Sequence, residues 1–463
     1  MSGVPLRRWL RSPRAWLGLI GFALGYFLLG LAGLQIQSAQ TGVSPVWPAS
    51  GLAFAVAFLY GPRYLLAIFP AMLGLAGWVG LPWSVGLLAA AGSLLEAALP
   101  VYGLRRLGVE GLGGLRSTLW FVGLGAVLAP VFSASLGVAA MAFTGSLRLA
   151  APDVWLLWWL GNSLGLLVVG GLGLSLAGRR RAFRNGDLLS YGLLVFLPAL
   201  VLGWISSYWL GDFVSSLSLY LLLPLVAVMA LREGHFGVLL TALLVVAAIV
   251  VSAQFLPEFY LRAIGVGPLY LNLALLWLLT FSGLLVGAAG EERERGRSFA
   301  WLARHDSLTG LSNRHAFSQR LEQVFQRVRR HGGEAVLLQV DLDDFKGIND
   351  RLGHAAGDEV LRAVARAMRE VVRARDTVAR VGGDEFMLLL EGCSAEDARG
   401  VARKLRERLQ ALRVGGQTGG ISVSIGLVPV SPDHRRVEEL LRRADSACYQ
   451  AKDAGKDRVF EGA

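Results

Sequence analysis

The sequence predicts an all-α polytopic membrane domain followed by a soluble α/β domain built as an α+β sandwich. Three observations predict it. From about Ala15 to Gly290, apolar stretches rich in Leu, Gly, Ala, Val and Trp dominate, and a helix of about 20 apolar residues matches the thickness of a bilayer core. From Glu291 onward charged residues are frequent and no apolar run exceeds a strand's length. Within that second part, short β-patterned runs alternate with amphipathic helices. The implied organisation is a membrane domain over 1–290, a linker over 291–304 and a soluble domain over 305–463.

The first apolar segment, about 22 residues long, follows a basic start; it is too long for the core of a cleaved signal and reads as an uncleaved first helix. Roughly ten spans follow the hydropathy, near 15–36, 45–61, 63–80, 82–104, 118–144, 153–177, 188–210, 214–231, 236–256 and 266–289. The second to fourth are closely spaced and interrupted by Gly and Pro, so eight spans fit equally. A cytoplasmic N-terminus places Arg63, Arg105, Arg106, Arg179, Arg180, Arg181, Arg184 and Arg232 inside. It leaves Arg148, Asp153, Asp212, Glu258 and Arg262 outside, as the positive-inside rule requires. An even count returns the C-terminal domain to the cytoplasm. Membrane orientation thus explains much of the formal charge of +11, and no nucleic acid partner is expected. The two cysteines, Cys393 and Cys448, form no C-x-x-C pair and read as reduced.

In "EERERGRSFAWLARHD", Glu291, Arg293, Glu294 and Arg297 fall at helical spacings; the stretch either continues the last helix or is a solvated linker. "AVLLQVD" (335–341) is a buried-strand pattern ending on an acid. "GDEVLRAVARAMREVV" is a helix with Val360, Leu361, Val364, Met368 and Val371 on one face. "ARVGGDEFMLLL" (379–390) reads as a hairpin whose glycines supply a positive-φ turn. Its adjacent acids, Asp384 and Glu385, repel each other unless a cation lies nearby. "ISVSIGLV" alternates like a further strand, and "VEELLRRADSACYQAK" is a helix.

Five motifs stand in order here: "DSLTGLSNRHAF" (306–317), "DLDDFKGINDRLGHAAGDEVL" (341–361), "RARDTVARVGGDEF" (373–386), "SIGL" (424–427) and "RADSACYQAKDAGK" (443–456). Together they resemble the GGDEF family of diguanylate cyclases over about 300–460. The resemblance implies a nucleotidyl-cyclase-like palm that condenses two GTP into cyclic di-GMP. It implies two Mg²⁺ (or Mn²⁺) per half-site, held by Asp341, the backbone carbonyl of Leu342 and Asp384, with Glu385 assisting; hard oxygen ligands beside phosphates are what Mg²⁺ requires. Asp384 would also help deprotonate the attacking 3′-hydroxyl. Gly382 and Gly383 would let the phosphates approach the backbone. Asn349 and Asp358 would hydrogen-bond guanine, although on their own they suit a turn and a helix N-cap. Phe345 and Lys346 would line the pocket, and Lys452 and Lys456 would contact phosphate. The family usually reads Gly-Arg-Asn where this chain has Gly455-Lys456-Asp457, which keeps the charge and loses the guanidinium fork. Each domain would hold one GTP, so a homodimer is required. Arg373 and Asp376 form an R-x-x-D at the family's product-inhibition site.

"SPVWPASGLAF" (44–54) and "WLLWWLGNSLGLLVV" (155–169) resemble a membrane-associated sensor domain often fused to GGDEF domains in bacteria, with Asn162 where an aspartate is usual. Glu96 lies in an apolar span, where an ionisable residue is a functional candidate, or else is neutral or paired with a helix neighbour. Trp155, Trp158 and Trp159 read as an interfacial belt. The expectation is a multi-pass protein of the bacterial inner membrane, in contact with lipid, whose cytoplasmic domain makes cyclic di-GMP. No phosphodiesterase motif accompanies it. A catalytically silent membrane receptor for GTP or cyclic di-GMP is the alternative. A transporter with a regulatory domain is a third reading, weakened by the shortage of intramembrane charge.

Overall fold

Burial in the two parts of the chain follows two different logics, one of lipid-facing helices and one of a covered sheet. The computed structural model describes residues 12–37, 42–178, 223–255, 266–413 and 420–462. They divide into two compact units, Met1–Glu294 and Arg295–Ala463. The expected span near 188–210, much of that near 214–231, and Arg179, Arg180, Arg181, Arg184, Asp212, Glu258 and Arg262 lie outside the described residues.

The helices described in the first unit are α1 (Pro13–Gln35), α2 (Pro48–Tyr60), α3 (Ile68–Trp78), α4 (Trp83–Arg106), α5 (Leu115–Phe143), α6 (Ala151–Leu176), α7 (Leu223–Phe255) and α8 (Val266–Leu302). On α1, Trp16, Leu17, Ile20, Leu24 and Leu28 are exposed while Leu19, Phe22 and Tyr26 are buried. A helix that leaves large apolar side chains outside is suited to lipid. Six helices among the described residues are long and apolar enough to cross a membrane. Helix α2 has only 13 residues. The expected span at 63–80 is broken into a 3₁₀ segment, Pro62–Ala67, and the 11 residues of α3. The expected spans on either side of residue 233 share one helical element, α7, broken at Gly234 with φ 61° and ψ −144°. Only glycine adopts such a backbone easily.

Packing in this unit depends on bare backbone. A Cβ on Gly51 of α2 would stand 2.1 Å from the carbonyl oxygen of Gly165, and one on Gly165 would stand 2.0 Å from that of Trp47. Those contacts bind the two sensor-like stretches together, and α6 widens into a π turn over Leu166–Gly170. The tryptophans of α6 are half-buried and tied inward: Trp155 Nε1 donates to Ser135 Oγ (3.0 Å) and Trp159 Nε1 to the Val127 carbonyl (2.9 Å). They pack on α5 as well as meeting the surroundings, a correction to a purely interfacial belt. Arg105, expected to set topology, also caps α2 by donating to the carbonyl of Phe58 (2.6 Å). Buried His235 bridges Thr118 Oγ1 (2.7 Å) and Glu291 Oε1 (2.8 Å).

The stretch after Gly290 is helical, because α8 runs unbroken to Leu302. The second unit is a mixed six-stranded sheet in the order β1-β3-β4-β2-β5-β6. Its strands are β1 (Ser312–Asn313), β2 (Ala335–Leu342), β3 (Thr377–Arg380), β4 (Glu385–Glu391), β5 (Val423–Pro429) and β6 (Val459–Glu461). Helices α9 (Arg314–His331) and α13 (Val437–Asp453) cover one face; α10 (Phe345–Leu352), α11 (His354–Val371) and α12 (Ala395–Ala411) cover the other. Every residue of β2 is buried, as expected of a strand covered on both faces.

Alternation then decides which way each residue of β2 faces. Val336, Leu338, Val340 and Leu342 enter the core under α10, α11 and α12, and Ala335 and Leu337 enter the core under α9 and α13. Gln339 shares the second face and donates to Asp445 of α13 (2.9 Å), and Asp341 follows it by the period of two. Helix α13 approaches β5 closely through Ala444, Ala447, Cys448 and Ala451. A Cβ on Gly426 would meet the Ala444 carbonyl oxygen at 2.3 Å and the Cys448 nitrogen at 2.4 Å. Both cysteines are buried free thiols, and burial pushes Cys448 up to about 12. Gly426→Ala should therefore force α13 off the sheet, at a cost of about 1–3 kcal/mol or more. Thermal unfolding of the purified protein should show the second unit's midpoint fall by about 3–10 °C.

Candidate active site

Strand pairing brings the acids together. Strands β2 and β4 are antiparallel neighbours, and the register sets Asp341 directly opposite Glu385. The Leu342 amide donates to the Asp384 carbonyl (3.3 Å), carrying the pairing one step beyond the strand into the turn. On its other side Asp341 pairs with Ser424 of β5. Asp341, Leu342, Asp384 and Glu385 thus gather at one end of the two central strands.

The cation that the acids require is Lys452. Its Nζ lies 2.8 Å from Asp341 Oδ2, two helical turns beyond Asp445 on the face of α13 that meets the sheet. Burial pushes the Asp341 carboxyl above its usual pKa. The Lys452 ammonium works against that shift, whereas the charges of Asp384 and Glu385 add to it. For Lys452, burial opposes the charge, but Asp341 outweighs it and holds the ammonium above its ordinary value. The raised direction is thus chiefly the effect of burial, with the two acids of the turn adding to it.

Mg²⁺ binds through one or two carboxylates plus waters and substrate phosphates rather than a full protein cage. The hard oxygens of Asp341 and Asp384 and the neighbouring Leu342 carbonyl make a donor set that fits it.

The turn holding Gly382 and Gly383 is built differently from expectation. Neither glycine has a positive φ. A Cβ on Gly382 would stand 2.7 Å from Glu385 Oε2, so Gly382 answers a need for space, whereas Gly383 has open space where a side chain would be. The turn is fastened by Arg380, which donates to the Gly383 carbonyl through Nε (3.1 Å) and Nη2 (2.8 Å) and reaches Asp306 Oδ1 at 3.2 Å. Burial disfavours charge on Asp306, but hydrogen bonds from Thr309 and Arg380 outweigh it and hold its pKa low. Arg380 and Asp306 were within the quoted motifs yet carried no assigned role; their signal was an arginine preceding the turn and an acid opening "DSLTG".

Asn349 and Asp358 come from α10 and α11. The Asn349 amide oxygen lies where a Cβ on Gly357 would stand, 1.9 Å from it, so Asn349 rests on the turn of α11 that carries Asp358. Asp358 is inside α11, whose N-cap is Gly353; the capping role does not hold. Phe345 belongs to the core, 9% exposed, with its ring beneath Gly357. It supports the pocket floor more than it lines it. Lys346 is exposed.

At the other motif end Gly455, Lys456 and Asp457 all have positive φ, at 109°, 60° and 44°. Asp tolerates that conformation better than most residues. The Asp457 amide donates to Asp343 Oδ2 (3.1 Å), and Asp343 also accepts from Ser422 and from Ser424 Oγ (2.8 Å). Asp343, unassigned from the sequence, thereby pins the Lys456 turn to the end of β2. Lys456 is exposed.

Arg373 and Asp376 prove unequal. Asp376 accepts from the backbone amides of Arg373 (2.9 Å) and Glu391 (3.1 Å), so its carboxylate holds the loop before β3, while Arg373 is exposed.

Comparison with known proteins accords with this architecture. Residues 303–458 match the family described as "Diguanylate cyclase, GGDEF domain", and residues 16–294 match the family MASE1. The "Probable diguanylate cyclase DgcE" of Escherichia coli is 36% identical over 180 residues, 38% of this chain and 16% of that protein. The "Bifunctional diguanylate cyclase/cyclic di-GMP phosphodiesterase MucR" of Pseudomonas aeruginosa is 43% identical over 162 residues, 35% of this chain and 24% of that protein. The matches therefore span a minor part of those relatives. Among solved structures, the coiled coil and GGDEF domain of DgcB from Caulobacter crescentus in complex with c-di-GMP is 30% identical, covering 37% of this chain and 91% of that one with a TM-score of 0.35. With the larger part of its length matched by one family and its C-terminal unit by the other, the chain belongs to the MASE1 family and carries a GGDEF domain.

Proposed function

We propose that the protein is a membrane-bound diguanylate cyclase of the bacterial inner membrane, joining two GTP into cyclic di-GMP with release of pyrophosphate. The observation that carries this reading is the register of β2 against β4, which sets Asp341 opposite Glu385 beside Asp384 and Lys452. Asp341, the Leu342 carbonyl, Asp384 and Glu385 would hold Mg²⁺ or Mn²⁺, two ions per half-site. Such ions, when bound, supply Lewis-acid charge for phosphoryl transfer. The chain's own groups do the rest. Asp384 accepts the proton of the attacking 3′-hydroxyl. Lys452, Lys456 and Lys346 neutralise the triphosphate, and the bare backbone at Gly382 and Gly383 admits it. Asn349 and Asp358 select guanine, because a carboxylate accepts from its N1–H and exocyclic amine while adenine offers no such pair of donors.

Each domain presents one nucleotide, so two copies must face each other for either bond to form. Proximity and alignment are then the step that regulation controls. The GGDEF unit is read as cytoplasmic, with the MASE1 unit as the source of the signal. Arg373 is read as part of a product-inhibition site, where its planar fork suits phosphate and guanine acceptors.

Purified dimeric protein with GTP and Mg²⁺ should form cyclic di-GMP, and chelation of the metal should stop it. Dimer that binds GTP or cyclic di-GMP without turnover would establish the silent receptor instead. Asp384→Ala should reduce product by more than about a hundredfold with unchanged circular dichroism; retained activity would refute the metal assignment. Arg373→Ala should raise the inhibition constant of cyclic di-GMP by about tenfold or more, read from initial rates against added product. Asp376→Ala is the less specific variant, because its carboxylate also holds two backbone amides of the fold.

A further inference from the structure

The two stretches of the MASE1 unit singled out in the sequence converge on Glu96. Glu96 lies in the middle part of α4 and is 1% exposed. Asn162 Nδ2, from the "WWLGNSLG" stretch, donates to Glu96 Oε2 (2.9 Å) and to Ser133 Oγ (2.8 Å). Ser50, from the "SPVWPASG" stretch, and Ser133 turn toward the same carboxyl. Tyr26 of α1 stands beside them with Ser93 and Trp47 around its hydroxyl. Backbone contact brings the two stretches together: the Trp47 amide donates to the Gly161 carbonyl (3.0 Å), and Gly51 lies against Gly165.

Hydrogen bonding here is incomplete in a specific way. Tyr26 Oη, Ser50 Oγ and Glu96 Oε1 are buried and make no well-formed hydrogen bond, although Ser93, Trp47 and Ser50 itself stand near; the other two such atoms among the described residues belong to Arg406 and Asp457 of the second unit. Buried oxygens left unpaired are costly, so native structures seldom keep several in one place without something to satisfy them. The groups acting on the carboxyl are hydroxyls and an amide; no lysine, arginine or histidine is among them. A buried carboxyl with no counter-charge among the described residues either keeps its proton or takes up a cation, and the unsatisfied oxygens beside it favour the cation. The donors are all hard oxygens, which suit alkali ions over soft metals. A single carboxylate suits one positive charge better than two.

We propose that Glu96, Tyr26 and Ser50, with Asn162 and Ser133 positioning the carboxylate, bind a monovalent alkali cation inside the MASE1 unit. The proposal does not rest on the cyclase reading, and its test needs no turnover. Equilibrium binding of radioactive Na⁺ to detergent-purified full-length protein, with K⁺ as competitor and choline as the inert ion, reads occupancy directly. Thermal unfolding in NaCl, KCl and choline chloride at one ionic strength reads it independently, since a ligand bound only by the folded state raises the midpoint. Saturable binding of either alkali ion, lost in Glu96→Gln and weakened about tenfold in Tyr26→Phe and in Ser50→Ala, supports the site. Wild type that binds neither ion saturably and unfolds at the same temperature in all three salts overturns it. So does undiminished binding by Glu96→Gln. Should that variant fail to fold, wild-type affinity in both Tyr26→Phe and Ser50→Ala overturns it as well.

Discussion

Two acids opposed across neighbouring strands are the constraint on which the second unit depends. Like charges directly opposite each other weaken a strand pair by on the order of 0.2–1 kcal/mol. Here Asp341 and Glu385 take that arrangement at the end of the two central strands. The pairing holds because β2 and the inner part of β4 are buried, and a slip of one residue would turn every core side chain to the wrong face. The hydrophobic core thus fixes an electrostatically unfavourable register. Relief comes from Lys452, and its position depends on how closely α13 approaches β5, which in turn depends on Gly426 having no side chain.

Much of this was legible because the relevant signals are local or periodic. The strand over 335–341, the hairpin and the helix carrying Lys452 all follow from alternation and helical spacing. What the sequence could not supply was the reason for particular residues. Gly382 and Gly383 read as turn glycines, yet neither uses the conformation that only glycine enjoys; Gly382 leaves room beside Glu385, and Gly383 stands in open space. Asp358 resembles a cap by composition, but α11 begins four residues earlier, at His354. Asp376 read as part of a ligand motif and proves to hold backbone amides. In each case the deciding neighbour is distant in sequence, where single-residue preferences carry no information. Hydropathy marks spans without their interruptions for a similar reason: it registers apolar length and overlooks the break after Gly61 and the bend at Gly234.

The two units meet the same electrostatic problem with different materials. In the second, Asp341 is buried at the end of a central strand, and a lysine from a packed helix supplies its counter-charge. In the first, Glu96 is enclosed by helices and, among the described residues, is answered by dipoles from Asn162 and the surrounding hydroxyls. Amide and hydroxyl groups can orient a carboxylate, but they carry no net charge to neutralise it. Close packing of glycines draws the two characteristic stretches of the unit into contact, and with them the hydroxyls and the amide that surround Glu96. Dipoles alone leave the charge on Glu96 to be balanced by something small that the described residues do not themselves provide.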